Sequence, residues 1–259
     1  MEPLLVSLEA GVLRITLNRP DKLNAFNPAI HGGLAEAMTR AETDALVRCL
    51  LITGAGRGFC AGQDLTERDM KAPVIDLGEG LDTRYNPLVR RMRALPKPIV
   101  CAVNGVAAGA GANFALACDI VLAARSATFI QAFVKIGFVP DCGGSYFLPR
   151  LAGTQRAMAL AMTGERLSAE DAERWGLIWK CVDDADLRAE TERLAAQLAS
   201  GPTKSLGLIK RAMYSSADND LDTQLDLERD LQREIGKGAD YREGVAAFLE
   251  KRKPRFTGR

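Results

Sequence analysis

Two stretches of small residues each follow a continuous apolar run. Gly58-Phe59-Cys60-Ala61-Gly62-Gln63-Asp64-Leu65 comes after Cys49–Thr53, and Asn104-Gly105-Val106-Ala107-Ala108-Gly109-Ala110-Gly111 comes after Ile99–Val103. Small side chains let a ligand approach the main chain, and a helix start exposes N–H groups that lack partners. Two such N–H groups aimed at one point make an oxyanion hole, which stabilises negative charge on a carbonyl oxygen. The same residues also serve tight strand-to-helix turns, and for either loop alone both readings stand. A third stretch, Val139-Pro140-Asp141-Cys142-Gly143-Gly144, sets one carboxyl among apolar and small neighbours. Desolvation there would raise its pKa and fit it to accept and return a proton. Its alternative is to cap a helix beginning at Cys142 or Gly143.

Other chemistries find less support. Gly56-Arg57-Gly58-Phe59-Cys60-Ala61 fits a dinucleotide fingerprint, but the next strand closes on Val103-Asn104, without the acidic residue that would hold a ribose. No GxxxxGK(S/T) phosphate loop is present. A single histidine, His31, leaves no material for a Ser-His-Asp triad or a His-based metal site, and its place after Asn27-Pro28 predicts a helix-surface residue. The six cysteines (Cys49, Cys60, Cys101, Cys118, Cys142, Cys181) include no CxxC pair and mostly lie in apolar runs, as reduced thiols of a cytoplasmic protein do.

The elements that must position these residues follow from the pattern. Leu4–Leu8 and Val12–Leu17 alternate around Ala10-Gly11 as a hairpin, and Asn27 with Pro28 starts a helix running to about Glu42. Cys49–Thr53, Ile99–Val103 and Ile120–Ala124 read as buried strands, with helices over Arg84–Leu95 and Ala112–Cys118 between them. Alternating strands and helices predict an α/β core with parallel strands. Thr66–Gly80 carries no pattern and reads as a mobile loop beside the site. From Ser168 a capped helix and a short strand, Leu177–Val182, precede helices near 185–200, 202–216, 220–235 and 240–250. The division expected is a core over 1–200 and a helical region over 201–259. Across 259 residues, 34 basic and 33 acidic side chains give a net charge of +1, which argues against a nucleic-acid footprint. No apolar run reaches the ~20 residues that would span a membrane, and Met1–Ala10 lacks the basic and apolar segments of an export signal.

The two glycine loops, Pro140-Asp141-Cys142-Gly143-Gly144, Asn18-Arg19-Pro20 with Leu23-Asn24-Ala25, and Ala247-Phe248-Leu249-Glu250-Lys251-Arg252 together resemble the crotonase superfamily, the enoyl-CoA hydratases and isomerases. The resemblance runs in order along essentially the whole chain. It implies a spiral of repeated ββα units with a helical C-terminal region, and assembly as a homotrimer or a dimer of trimers. It also implies an acyl-CoA thioester substrate whose carbonyl oxygen lies between the backbone N–H groups of Gln63 and Ala110. Coenzyme A belongs to the substrate, and no cofactor or metal is implied. Lys22, Leu23, Ala25 and Ala61 fall at the nucleotide end, and Asp64, Leu65 and Gly109 beside the substrate, Asp64 with a structural role. Phe248 and Lys251 match tail residues that close the nucleotide pocket, typically from a neighbouring subunit.

The hydratases of this superfamily use two glutamates, and here those positions fall on Asn113 and Phe133. Neither side chain can act as a carboxylate base, so the resemblance does not imply hydration by that route. Isomerising members carry an acidic residue where Asp141 stands, so the resemblance favours catalysis over capping. Within the superfamily the likeness is greatest to the ring-epoxide isomerases of bacterial phenylacetate degradation. It is carried by Thr53–Leu65, Tyr85–Arg91, Ile136–Gly144 and Leu221–Asp230. That implies conversion of a 1,2-epoxyphenylacetyl-CoA to an oxepin, or a double-bond shift, by proton shuttling on Asp141. The alternatives are another acyl-CoA enzyme of the superfamily, hydratase-like or a dehalogenase or hydrolase using Asp141 as nucleophile, and a non-catalytic acyl-CoA- or RNA-binding relative.

Overall fold

The computed structural model of the chain describes residues 2–67 and 76–259. Strands β1 (Leu4–Glu9) and β2 (Val12–Leu17) form the expected antiparallel hairpin. Its turn residues Ala10 and Gly11 both take positive φ, the geometry that matches the twist of the strands. Helix α1 (Pro28–Thr43) begins on the Asn27 side chain, which accepts the Ile30 N–H at 3.0 Å.

From β3 onward the chain repeats one motif. A buried strand is followed by a short one in a second sheet and then by helix. The turns are β3 (Cys49–Gly54) and β4 (Gly58–Cys60), with α2 (Leu77–Gly80) and α3 (Asn86–Ala94); β5 (Ile99–Val103) and β6 (Val106–Ala108), with α4 (Ala110–Leu116); and β7 (Ile120–Ala124) and β8 (Thr128–Ile130), with α5 (Gly144–Ala152) and α6 (Thr154–Thr163). Strand β9 (Arg166–Ser168) adds to the second sheet and, after α7 (Ala169–Arg174), β10 (Lys180–Val182) adds to the first. Among the described residues the larger sheet has the order β1-β2-β3-β5-β7-β10 and the smaller β4-β6-β8-β9. Pairing from β2 to β10 is parallel, and so is β4-β6-β8. This is the spiral of ββα units that the resemblance implies.

Strands β3 and β5 are buried almost end to end, as parallel strands covered on both faces are, which is why they read as unbroken apolar runs. Helix α8 (Leu187–Ser200) lies across β3, β5 and β7. Helices α9 (Thr203–Ser215), α10 (Leu221–Ile235) and α11 (Ala239–Leu249) complete the chain. A buried ammonium anchors α9, because Lys210 Nζ donates to Met92 O at 2.7 Å and pairs with Asp119 at 2.9 Å. No helix among the described residues is long and apolar enough to cross a membrane.

Several expectations are corrected. The glycine loops are not loops throughout, since β4 and β6 lie inside them and build the second sheet. Three residues flanked by glycines are too few to show a strand period, and β8 escaped notice for the same reason. The helix expected at Ala112 starts at Ala110, because Gly109 at φ +52° turns the chain directly into it. The strand expected over Leu177–Val182 contracts to Lys180–Val182; Leu177 and Ile178 are instead buried in the approach to it. The unpatterned Thr66–Gly80 stretch lies largely outside the described residues, with a 3-10 turn over Leu65–Glu67 and α2 at its two ends.

The side chain of Phe114 joins the layers. It meets the Phe26 ring edge-on at 5.5 Å and stacks with Phe59 at 6.5 Å, all three fully buried. Phe114→Ala is expected to lower unfolding free energy by about 3–5 kcal/mol, read from urea titrations at constant m-value.

Candidate active site

Gly62 and the segment Ala108–Ala110 come into van der Waals contact where β4 and β6 end. A Cβ placed on Gly62 would stand 2.8 Å from Ala108 O and 3.3 Å from Ala110 N. Gly62 also has φ +90°, so only glycine fits both the angle and the gap. One turn further, a Cβ on Gly111 would strike Cys60 O. The two loops therefore hold each other by backbone contact.

That contact orients the two N–H groups. Phe26 N donates to Gly62 O at 2.7 Å, and Asp64 N donates to Phe26 O at 2.9 Å. The N–H of Gln63, between them on an extended chain, points to the opposite side and makes no hydrogen bond to the described residues. Gly109 N donates to Ile130 O at 2.8 Å, whereas Ala110, the first residue of α4, has no carbonyl a turn earlier to receive its N–H. Gln63 and Ala110 thus leave two main-chain donors unspent. Both line one cavity of about 670 Å³, with Ala61, Leu65, Gly109, Phe133 and Asp141 on its wall.

Asp141 is half-buried in the loop between β8 and α5. That helix starts at Gly144 with Gly143 as its N-cap residue and no side-chain cap bond, so Asp141 stands ahead of the capping position. Its main-chain carbonyl accepts the Gly144 N–H at 2.8 Å and the Asn113 Nδ2 at 2.8 Å. Phe133 lines the cavity beside Gly109, and Asn113 is buried behind Asp141 without lining it. Glu67, Asp76 and Glu79 also line the cavity and are exposed to solvent.

The remaining sequence candidates separate into groups. The turn Arg19–Ala25 is docked on the first loop: Ala61 N donates to Leu23 O at 2.9 Å, Arg19 Nη1 donates to Ala25 O at 2.8 Å, and Lys22 is exposed at its edge. Asp64 does not line the cavity. Its carboxylate takes the Thr66 hydroxyl at 2.6 Å and pairs with Arg19 at 2.9 Å, and these hold its pKa below the usual carboxylate range. Phe248 and Lys251 are not brought to the cavity within this chain. Phe248 is 83% exposed, and Lys251 follows it with φ +53° just beyond the end of α11. Burial pushes the Cys60 thiol up to about 12 and the Cys142 thiol well above its usual value, so neither is a thiolate at neutral pH.

His31 overturns its sequence reading. It is 7% exposed, stacked on Phe26 at 5.3 Å and edge-on to Tyr85 at 4.5 Å. The first turn of α1 faces inward, burying Ile30 and His31 together. Burial, aided by the charge of Arg84, lowers the His31 pKa to about 4. Above it, Tyr85 O–H donates to Gln63 Oε1 at 2.6 Å, and Gln63 Nε2 reaches Phe26 O at 3.3 Å. Tyr85 ends a π-helical turn, Leu81–Tyr85, between α2 and α3. Neither Tyr85 nor the buried Gln131 was picked out as a site residue. A glutamine closing the apolar strand Thr128–Ile130 was a usable signal, whereas nothing local to Tyr85 links it to Gln63.

Residues 7–259 match the family described as enoyl-CoA hydratase/isomerase. The chain is 59% identical over 261 residues to the 1,2-epoxyphenylacetyl-CoA isomerase of Escherichia coli K12, covering all of both chains. It is 48% identical to a probable enoyl-CoA hydratase of Rhodobacter capsulatus over 97% of this chain and 96% of that one. The crystal structure of a putative enoyl-CoA hydratase/isomerase from Mycobacterium abscessus superposes with TM-score 0.93 at 35% identity, over 99% of this chain and all of the other.

The neutral, buried His31 links stability to pH. Its folded pKa of about 4 lies below the unfolded value, so the unfolded state binds the proton first and stability falls as pH drops from about 6.5 to 4. The loss attributable to this ring is about 3 kcal/mol. In His31→Phe, which keeps a buried ring that cannot titrate, that share of the decline disappears from urea titrations at pH values between about 7 and 4.

Proposed function

The chain belongs to the enoyl-CoA hydratase/isomerase family, and we propose that it isomerises the ring 1,2-epoxide of phenylacetyl-CoA to the oxepin, with a double-bond shift in an unsaturated acyl-CoA as a related activity. It is an acyl-CoA isomerase of the crotonase type. The observation that carries the substrate reading is one cavity bearing two unspent main-chain N–H groups and the Asp141 carboxylate, with Asn113 and Phe133 where hydratases hold glutamates.

In this mechanism the thioester oxygen accepts hydrogen bonds from Gln63 N–H and Ala110 N–H. Polarising that carbonyl acidifies the α-carbon, and Asp141 takes a proton from it. The electron pair moves onto the held oxygen as an enolate, whose charge the preset donors stabilise without reorganising. The carbon–carbon bond shared by the epoxide and the six-membered ring breaks with both C–O bonds kept. The same proton returns from Asp141 to the ring carbon γ to the thioester as the enolate pair forms an exocyclic C=C, so the product has unchanged composition. No electrons leave the substrate, so the route needs no redox cofactor; the two N–H donors supply the polarisation that a Lewis acid would, and coenzyme A remains on the substrate throughout. The apolar wall formed by Phe133, Ile136, Phe138, Val139 and Pro140 favours an aryl acyl group over a strongly polar one.

Oligomeric state belongs to the same proposal. The exposed apolar side chains of Phe248, Leu249 and Leu221 support assembly as a homotrimer or dimer of trimers, in which Phe248 and Lys251 reach a neighbouring subunit's coenzyme A.

Asp141→Asn is expected to cut kcat on the epoxide thioester by about 10²- to 10⁴-fold, with solvent exchange of the α-proton abolished in parallel. The reading of Asp141 as a nucleophile instead requires heavy oxygen from water to accumulate in the protein during turnover, and intact-protein mass spectra should stay unlabelled. Ala110→Pro tests the donor. Proline is tolerated at a first helical position but has no N–H, and a loss of about 10²- to 10³-fold in kcat is expected from steady-state rates.

A further inference from the structure

We infer that Asn113 is a positioning residue that sets where the Asp141 carboxylate stands, and that it does so from the same helix that supplies the Ala110 N–H. The inference rests on the reading of Asp141 as proton carrier. Both ends of the Asn113 amide are engaged. Nδ2 donates to the Asp141 carbonyl at 2.8 Å, and Oδ1 accepts from Gln131 Nε2 at 2.9 Å. Asn113 is 0% and Gln131 2% exposed, so water does not compete for either bond. Gln131 fixes which end of the amide faces which neighbour, and leaves the NH₂ group turned to Asp141.

The turn so held needs holding. Cys142 at φ +51° and Gly143 at φ +79° follow Asp141 directly, and the left-handed region is unfavourable for a residue with a Cβ. A Cβ on Gly144 would collide with the Asn113 amide, so glycine at that position is what lets the amide reach the carbonyl. Ala110 and Asn113 stand three residues apart on α4, neighbours on adjoining turns. One rigid element therefore fixes the distance between the oxyanion donor and the carboxylate that works beside it. A carboxylate at 113 could not do this, because it would set an acceptor against the Asp141 carbonyl. The position serves as a strut or as a water-activating acid, and in this chain it is a strut.

Asn113→Asp keeps the shape and exchanges the donor for an acceptor. Buried beside Asp141, the new carboxyl is expected to hold its proton above the usual range, and when protonated it recovers a donor. Relative to wild type, kcat on the epoxide thioester should fall about 10- to 100-fold at about pH 8 and recover as pH is lowered toward 6, while KM stays within about threefold. Asn113→Ala should lose as much without recovery. Gln131→Met, which leaves Asn113 in place and removes the donor that orients it, should lower kcat by about tenfold at unchanged KM and serves if Asn113→Asp does not fold. Relative kcat within about twofold of wild type in the folded variants, or a loss in Asn113→Asp that ignores pH, overturns the inference. Asp141→Asn in the same assay separates the two readings. If it retains turnover, the role of Asp141 fails; if it is inactive while Asn113→Asp matches wild type, only the strut fails.

Discussion

The close approach of two backbones, Gly62 against Ala108–Ala110 and Gly111 against Cys60, is the constraint on which the site depends. It comes from pairing β4 with β6 and β6 with β8 in parallel, which stacks successive turns of the spiral at sheet spacing. Donors distant in sequence thereby become neighbours, and their directions are set by ladder bonds rather than by side-chain rotamers. A pair of main-chain donors is insensitive to the side chains at 63 and 110 but intolerant of a Cβ at 62. The rings of Phe26, Phe59 and Phe114 pack against one another, fully buried, behind it.

Around that fixed point the polar groups divide their work. Asp64 carries a charge that Arg19 and Thr66 consume locally, so it braces the first loop and leaves the cavity alone. Tyr85 steadies the Gln63 side chain from one side, while Asn113 and Gln131 steady the Asp141 loop from the other. Asn113 is tied to the Asp141 carbonyl and to Gln131, and Phe133 presents an apolar ring to the cavity. Among the described residues the side chain packed behind the Asp141 turn is the Asn113 amide, and the carboxyls of Glu67, Asp76 and Glu79 stand on the solvent-exposed part of the cavity wall.

The sequence disclosed those parts whose signal is local. Buried parallel strands read as apolar runs, Asn27 and Ser168 announced their helices, and the glycine loops stood out after their strands. The short strands β4, β6 and β8 did not show, because three residues carry no period and their stability comes wholly from neighbours remote in sequence. His31 was misplaced for a related reason. A helix start fixes where the backbone turns but not which side of its first turn meets Phe26 and Tyr85. The likeness of motifs named Gln63, Ala110 and Asp141; only the fold revealed that Asn113 ties two of them together.

The burial of the chain's lone imidazole has a spectroscopic consequence. With no second histidine in the sequence, its ring protons give a single isolated set of resonances, shifted by the faces of Phe26 and Tyr85. Because Tyr85 also grips Gln63, that set is a built-in reporter on the floor of the cavity, readable without any label.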